Sequence, residues 1–461
     1  MKIKELQAQI KEKDRRIKEL EGEVASLTAL VTKLLARIEE LERRLGLNSA
    51  NSSKPPSSDG LQRVSRTQSL KKTNAKKFGG QDGHKGNTLK QVENPDVTNN
   101  YDPESCVECG SLLKDVAVTD IIERQEVDID IKKQIISHKS SVKICNCGKR
   151  NVGVMPQHLN APIQFSTKIK AIGTYLTNQF ISKSRIEQMF NDLFTIKISD
   201  TTLIAFDVEC AEKLKPFYDT VESAIKEAFV KHADETGVRI AGKTNWLHVL
   251  CTELMTYYRA EEKRGSVPEE VVGILVHDHW KPYFTLALKH ALCNAHLLRE
   301  LNALIEIEKE FWAKKMYDLL IYASKLTKPS TDQQNDISEK YDAIVTDGLQ
   351  YHENLGKLKE GSRKKRIGHN LLLRFQNFKN AVLLFLYQQD VPFTNNLAER
   401  DIRMAKLQQK VSGGHRTFNG AQSFAIIRSL ISTAQKQAKN IFETLCSIFD
   451  DTFDLFSLVP T

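Results

Sequence analysis

The residues best suited to chemistry begin in Lys231–Thr236 (KHADET), where Asp234 and Glu235 follow the apolar run Ala228–Phe229–Val230. That run reads as the end of a strand. Val238–Ile240, Trp246–Cys251 and Leu254–Tyr258 follow, rich in branched and aromatic residues and punctuated by Gly242 and Asn245. The pattern predicts a strand continuing into a meander. A second apolar run from Gly273 leads through His277 to Asp278. A third acid, Glu399, lies in Asn395–Arg400 (NNLAER) and opens a helix that Thr394 or Asn395 would cap. Two aspartates at strand ends and a helical glutamate are hard oxygen donors. Together they could share a pair of Mg²⁺ (or Mn²⁺) ions and activate water or a 3′-hydroxyl for phosphodiester attack. Glu235, beside Asp234 on a strand, points to the opposite face and is expected to matter less.

A second set of candidate ligands is Cys106-x-x-Cys109 and Cys145-x-Cys147, each pair followed directly by glycine, Gly110 and Gly148. Four thiolates suit a closed, structural Zn²⁺ site. Val116–Val127 and Ile129–Ile136 between them alternate like two strands. Eight cysteines in 461 residues, four of them clustered, argue against a disulfide scaffold. Cys210, Cys251, Cys293 and Cys446 are scattered and are expected to be buried apolar residues.

In Ala291–Glu300 (ALCNAHLLRE) helical spacing puts Cys293, His296 and Arg299 on one face. Either His296 positions a scissile phosphate or water and Arg299 binds backbone phosphate, or the helix merely packs beside the site. A further metal site is not expected there, because only one residue is a good ligand. Arg400, Arg403, Lys406, Lys410 and Arg416 follow Glu399 and would suit a phosphate backbone. The turn Gly413–Arg416 is another candidate contact to a DNA strand.

The segments HADETGV, VHDHWKPYF, CNAHLLREL and NNLAERDIRMAK together resemble, in order, those of the insertion sequence 66 family of bacterial transposases. NSSKPPSSDG and GGQDGHKG resemble that family's N-terminal region. The second motif departs from the DGYAGY-like segment of many relatives, although Asp278 keeps its place. The resemblance implies a DDE-type enzyme with a ribonuclease-H-like core. Asp234, Asp278 and Glu399 would hold two metal ions, water would hydrolyse the strand at the transposon end, and the freed 3′-hydroxyl would attack target DNA. It also implies a zinc-binding domain at the four paired cysteines, DNA as partner and, in some relatives, small accessory proteins. Two rivals remain. A metal-dependent nuclease would use the same three acids and leave nicked ends without joined product, and a non-catalytic DNA-binding relative would work through its coiled coil and zinc domain and leave DNA uncut.

Several elements must position these residues. Residues 2–46 carry a heptad pattern: Ile3, Ile10, Ile17, Val24, Val31, Ile38 and Leu45 at a; Leu6, Lys13, Leu20, Leu27, Leu34 and Leu41 at d. Branched residues at a with leucine at d predict a parallel dimeric coiled coil. Leu30 and Leu35 widen the stripe, so a higher oligomer stays open, as does a helix packed on its own chain. From Leu61 to Lys90 eight Lys or Arg residues face one acid, Asp82, within a formal net charge of +9. That stretch is either an arm for phosphates, centred on the glycine-rich Gly79–Gly86, or a solvated linker. The fold expected is multidomain α+β. Its parts are a coiled coil (1–47), a flexible basic linker (48–95) and a zinc-binding domain (96–160). A helical stretch (161–226) follows, whose helices flanking Thr195–Ile198 form a helix-turn-helix or simply pack on the core. A ribonuclease-H-like core (227–420) with a helical insertion (301–390) and C-terminal helices (421–461) complete it. The insertion contains a basic turn at Lys357–Arg366. The longest apolar run of the C-terminal half, Ala381–Tyr387, is far short of a membrane span. A charged N-terminus without a secretory apolar segment leads to the expectation of a cytoplasmic protein with no membrane partner.

Overall fold

The computed structural model describes residues 2–52, 89–129, 131–156, 158–265, 270–355 and 365–459. Gly79–Gly86, with most of the 48–95 linker, and residues 357–364 of the basic turn lie outside the described residues. The chain is mixed α+β and divides into two compact units. One comprises Met1–Leu70, Pro156–Gln188 and Ile198–Thr461, the other Lys71–Met155 and Met189–Lys197.

The heptad segment is a single helix, α1 (Lys2–Gly46). Its seam positions Ile10, Ile17, Leu20, Val24, Leu27, Val31, Leu34, Ile38 and Leu41 are 42% to 61% exposed. At these positions the stripe is exposed, which favours a partner helix over packing on its own chain. Asn51 ends the helix, donating from Nδ2 to the Gly46 carbonyl (3.0 Å) and to Glu306 (2.8 Å).

In the second unit, β1 (Val142–Ile144) and β2 (Arg150–Val152) form an antiparallel hairpin. Among the described residues the strands expected over Val116–Val127 and Ile129–Ile136 are not present, and Val116, Ile121, Ile129 and Ile135 are exposed. Alternation supplies a face, but a strand persists only with a hydrogen-bonded neighbour and a core to cover. Each cysteine pair sits in a tight turn. Gly110 donates to the Cys106 carbonyl (2.9 Å) and Gly148 to that of Cys145 (2.7 Å). Both glycines have positive φ, 72° and 82°, a conformation that side chains rarely adopt.

The first unit is built on a five-stranded sheet. Its strands are β3 (Val230–Ile240), β4 (Lys243–Cys251), β5 (Thr256–Glu261), β6 (Ile274–His277) and β7 (Lys289–Leu292), in the order β5-β4-β3-β6-β7. The first three form the expected meander, and β6 and β7 run parallel to β3 and to each other. The helices α2 (Thr167–Asn178), α3 (Lys183–Phe194), α4 (Asp200–Lys213) and α5 (Lys215–Glu227) precede the sheet. Leu203, Phe206 and Cys210 of α4 are buried, while Ile204 and Val208 on its other side are exposed. Between β7 and the third carboxylate come α6 (Asn294–Ala303), α7 (Phe311–Lys325), α8 (Thr331–Asn354), α9 (Ile367–Asn377), α10 (Lys379–Val382) and α11 (Leu384–Tyr387). They enclose a core of their own around Trp312, Met316, Leu320, Tyr341, Leu372 and Phe375. The chain ends with α12 (Asn396–Ser412), α13 (Phe418–Lys436) and α14 (Ile441–Phe449).

Both faces of the sheet are covered. On one, Val238, Ile240, Leu247 and Val249 pack against Ala398, Ile402 and Ala405 of α12 and Ala421 and Ala425 of α13. On the other, Ala233, Leu250, Tyr257 and Leu275 pack against α2, α5 and α14. Lys231, fully buried in β3, is spent on architecture. Its ammonium donates to the carbonyls of Lys226 and Val272, and burial lowers its pKa to about 8. No helix among the described residues is long and apolar enough to cross a membrane.

Candidate active site

The parallel pairing of β3 with β6 matches Val230 to Ile274, Lys231 to Leu275 and His232 to Val276. Carried on two residues, this register sets Asp234 level with Asp278, one step past the end of β6. Asp278 thus lies at a strand end as expected. Asp234 does not: β3 continues to Ile240, held by β4 on its other edge. What ends at Asp234 is the parallel neighbour, which leaves the carboxylate beside an open notch in the sheet. Strand alternation puts Asp234 on the same face as Val238 and Ile240, the face that α12 covers. Glu399 sits in the first turn of that helix and is buried.

Asn395 fixes where α12 begins. It is the N-cap residue, but its side chain makes no capping bond. Instead Nδ2 donates to the Ala233 carbonyl (2.8 Å) and Oδ1 accepts from His232 Nδ1 (2.8 Å). Burial lowers the His232 pKa to about 4, so the ring is neutral and Nδ1 carries its proton toward the amide oxygen. The Asn395 backbone N–H points at Cys293 Sγ (3.1 Å). Farther along, Asp401 receives Thr256 Oγ1 and Lys436 Nζ, each at 2.9 Å, and Lys406 donates to the Gly237 carbonyl (2.7 Å). The helix that presents Glu399 is therefore tied to β3, β5 and α13.

Asp234 feels the charge of both other acids. Asp234 has its pKa raised well above the ordinary carboxylate value, first by burial and then by the charges of Glu235, Asp278 and Glu399. Asp278 Oδ1 accepts from the Trp280 amide (3.0 Å) and Asp234 Oδ1 from the Glu235 amide (2.9 Å). The two oxygens of Glu399 face different company. Oε2 lies 3.8 Å from Arg299 and 3.5 Å from Arg403, whereas Oε1 lies 3.6 Å from His296 Nδ1 and 3.8 Å from Cys293 Sγ. Among the described residues, Cys293, His296 and Glu399 make up the one group of three or more His, Cys, Asp or Glu whose donor atoms all lie within 4.8 Å. No local motif announces this group, because its third donor comes from more than a hundred residues away.

Glu235 does face away from Asp234, yet it is no bystander. Its side chain is 2% exposed and accepts from Tyr283 Oη (2.7 Å) and Arg264 (2.9 Å). The Arg264 guanidinium in turn lies 4.8 Å from the ring centroids of both Trp246 and Trp280. This strut ties the segment after Asp278 to β3. Burial raises the Glu235 pKa. Glu235→Gln keeps an acceptor for Tyr283 and weakens one charge-assisted bond, so cleavage is expected to slow by no more than about tenfold. A loss as complete as that of Asp234→Asn, in the same cleavage assay, would make Glu235 a fourth reacting carboxylate.

Beside the cluster lies a cavity of about 220 Å³, lined by Asp278, His279, Trp280, Cys293, His296, Glu300 and Arg374 among others. Arg374 comes from α9 and forms a two-pronged pair with Glu300. The helices between the second and third acids thus furnish part of the cavity wall, which no local motif announced. His277, buried and with its pKa lowered to about 3 by burial, contacts His290 (3.0 Å) and the Asp278 carbonyl and so braces the Asp278 backbone. Arg299 and Arg403 reach Glu399, Lys406 is engaged with the sheet, and Arg400 and Arg416 are exposed. The backbone of the turn Gly413–Arg416 docks on the end of β3, where His415 exchanges bonds with Arg239 and Ala241. The Gly414 position would put a Cβ 2.5 Å from the Arg239 carbonyl oxygen.

The paired cysteines form two separate pairs. Cys109 has its pKa lowered to about 7, chiefly by the Ser111 hydroxyl and also by Cys106, and Cys145 is lowered by Cys147. In this structure the four sulfurs do not gather into one donor group. Cys210, Cys251 and Cys293 are buried as expected and Cys446 is half-buried.

The model of the family described as "Transposase IS66 family" matches residues 164–423, more than half of the chain. A second, described as a family of unknown function (DUF6444), matches residues 1–90. No curated protein matches the chain.

Proposed function

Because the chain belongs to the IS66 family of transposases, we propose that it cuts DNA at transposon ends and joins the freed ends to target DNA. The observation that supports this reading is the β3–β6 register that sets Asp234 level with Asp278, together with Glu399 buried in the helix covering the Asp234 face, although the three acids stand 44 and then 121 positions apart. A strand order with three antiparallel and two parallel strands supports a ribonuclease-H-like core spanning residues 227–420, with residues 301–390 as its helical insertion. Asp234 is pushed up by burial and by the neighbouring acids, a penalty that a bound cation would relieve, and the three carboxylates offer the oxygen donors that fit Mg²⁺ or Mn²⁺. Bound there, divalent ions would activate the attacking oxygen and stabilise the departing one. The chain's own residues supply the rest. Asp234 and Asp278 offer oxygens from adjacent strands, while Glu399 offers one from a helix tied to the sheet. Arg299 and Arg403 stand where phosphate oxygens of the bound strand would pair, and His296 lies within reach of the same phosphate. The exposed Arg400 and Arg416 suit the backbone farther out.

The test is incubation of the full chain with transposon-end DNA, target DNA and Mg²⁺. Joined products are expected. Nicked ends without joining would instead identify a nuclease, and uncut but bound DNA a binding protein.

Two features outside the core belong to the same reading. The exposed seam of α1 supports self-association as a parallel coiled coil, with the linker that follows it as a basic arm for DNA. The full chain is expected to sediment as a dimer, and Val24→Asp with Leu27→Asp to shift it to monomer. A wild-type monomer at micromolar concentration would refute the coiled coil. The two glycine-closed cysteine turns support one structural Zn²⁺ held by Cys106, Cys109, Cys145 and Cys147. Metal analysis is expected to find that Cys106→Ser with Cys145→Ser loses this zinc.

A further inference from the structure

We infer that Cys293, His296 and Glu399 form a three-donor site for a borderline-soft dication of the Zn²⁺ or Co²⁺ class, with its fourth position open to the cavity. It shares Glu399 with the proposed Mg²⁺ cluster but brings donors that Mg²⁺ avoids. Cys293 is the N-cap residue of α6 and His296 lies in its first turn, so one short stretch of backbone sets both. The start of α12 delivers Glu399 from the other side.

The distances suit a tetrahedral ion. Bonds of about 2.3 Å to sulfur and about 2.0 Å to nitrogen or oxygen put tetrahedral ligands roughly 3.3–3.6 Å apart. The separations here are 3.8 Å from Cys293 Sγ to Glu399 Oε1 and 3.6 Å from His296 Nδ1 to the same oxygen. These two separations need close by only tenths of an ångström, and all three donor atoms lie within 4.8 Å of one another. His296 Nδ1 is a buried atom with no hydrogen-bond partner, although a carboxylate oxygen lies close by. A bound cation would give that nitrogen the partner it lacks.

Charge and donor type agree. On binding, the Cys293 thiol gives its proton to solvent, so thiolate and carboxylate together balance a dication. Arg299 and Arg403 occupy the Oε2 side of Glu399 and direct a cation to Oε1, where sulfur and imidazole wait. Thiolate and imidazole favour Zn²⁺ and Co²⁺ over Mg²⁺, which prefers an octahedron of oxygens. Three protein ligands with one exchangeable position is the arrangement of catalytic rather than structural zinc sites. Both Cys293 and His296 also line the cavity, which leaves room for water or a phosphate oxygen at that position.

The experiment is Co²⁺ titration of the metal-free full chain, without DNA and with Mg²⁺ in excess, followed by optical absorption. The wild type is expected to gain one more cobalt–thiolate charge-transfer equivalent per chain than Cys293→Ser. His296→Gln, at a partly exposed position that should tolerate the change, is expected to bind this cobalt at least about tenfold more weakly for loss of one ligand. Identical cobalt–thiolate spectra in wild type and Cys293→Ser, unchanged affinity in His296→Gln, or displacement by Mg²⁺ would each overturn the site. The proposed function fails separately: a Glu399→Gln chain that no longer cuts DNA, alongside identical cobalt spectra, removes this inference and leaves the transposase reading standing.

Discussion

Asp234→Asn is expected to abolish strand cleavage and joining while making the metal-free protein harder to unfold. The amide keeps the shape of the carboxylate and removes one buried charge. Burial and the neighbouring Glu235, Asp278 and Glu399 hold the Asp234 pKa well above its ordinary value, so the ionised group opposes folding at neutral pH. The sign follows from proton linkage. The folded chain binds this proton more tightly than the unfolded chain does, so wild-type stability at this site rises as pH falls from the raised pKa toward the usual carboxylate range. The melting temperature of Asp234→Asn should therefore exceed that of wild type near neutral pH by a few degrees, with the gap closing on acidification. Added Mg²⁺ should narrow it too, because a ligand that binds only the folded wild type stabilises it. Cleavage should fall by about 10³-fold or more for loss of a group whose whole use lies in the reaction. Binding to end DNA should change little. Equal melting temperatures would mean that the cluster is not repelling itself, and undiminished joining would remove Asp234 from the chemistry.

The same cluster shows how far the sequence could be read. Asp234 and Asp278 were recognisable because each follows an apolar run of strand length, and the β3–β6 register confirms that they stand level. The meander after Asp234 was legible for the same reason: branched and aromatic residues alternate around turn residues. Alternation alone misled at Val116–Ile136, where among the described residues no partner strand stabilises an extended chain. What stayed hidden depended on long-range contact. Cys293 read as an ordinary buried cysteine until α12 brought Glu399 to it. Arg374 lies in a helix with no motif, and only the packing of α9 puts it in the cavity wall. Asn395 did announce itself, but as a helix cap, since that is what asparagine before a helix most often does. Its side chain is used across the sheet instead.

That use of Asn395 carries the second large effect. Asn395→Ala is expected to cost about 2–3 kcal/mol of stability and to slow cleavage by about 10²-fold, without removing any group proposed to touch DNA or metal. The truncation strips His232 Nδ1–H of its acceptor and the Ala233 carbonyl of a donor, and all three residues are buried. Water does not reach them, so the penalty is that of stranded polar groups rather than of one exchanged hydrogen bond. The catalytic consequence follows from position. The Glu399 amide bonds to the Asn395 carbonyl, and Glu399 begins its helix only four residues past the tie. With the tie gone, α12 keeps its anchors at Asp401 and Lys406, both beyond Glu399, so its first turn is free to shift while the rest stays docked. Cleavage should then fall because Glu399 no longer meets the two aspartates in register. The diagnostic is metal dependence: raising Mg²⁺ or substituting Mn²⁺ should restore part of the activity of Asn395→Ala, whose ligands remain, and none of that of Glu399→Gln. If both variants respond alike, or if Asn395→Ala cleaves as wild type once corrected for its unfolded fraction, Asn395 only stabilises the fold and does not position the third carboxylate.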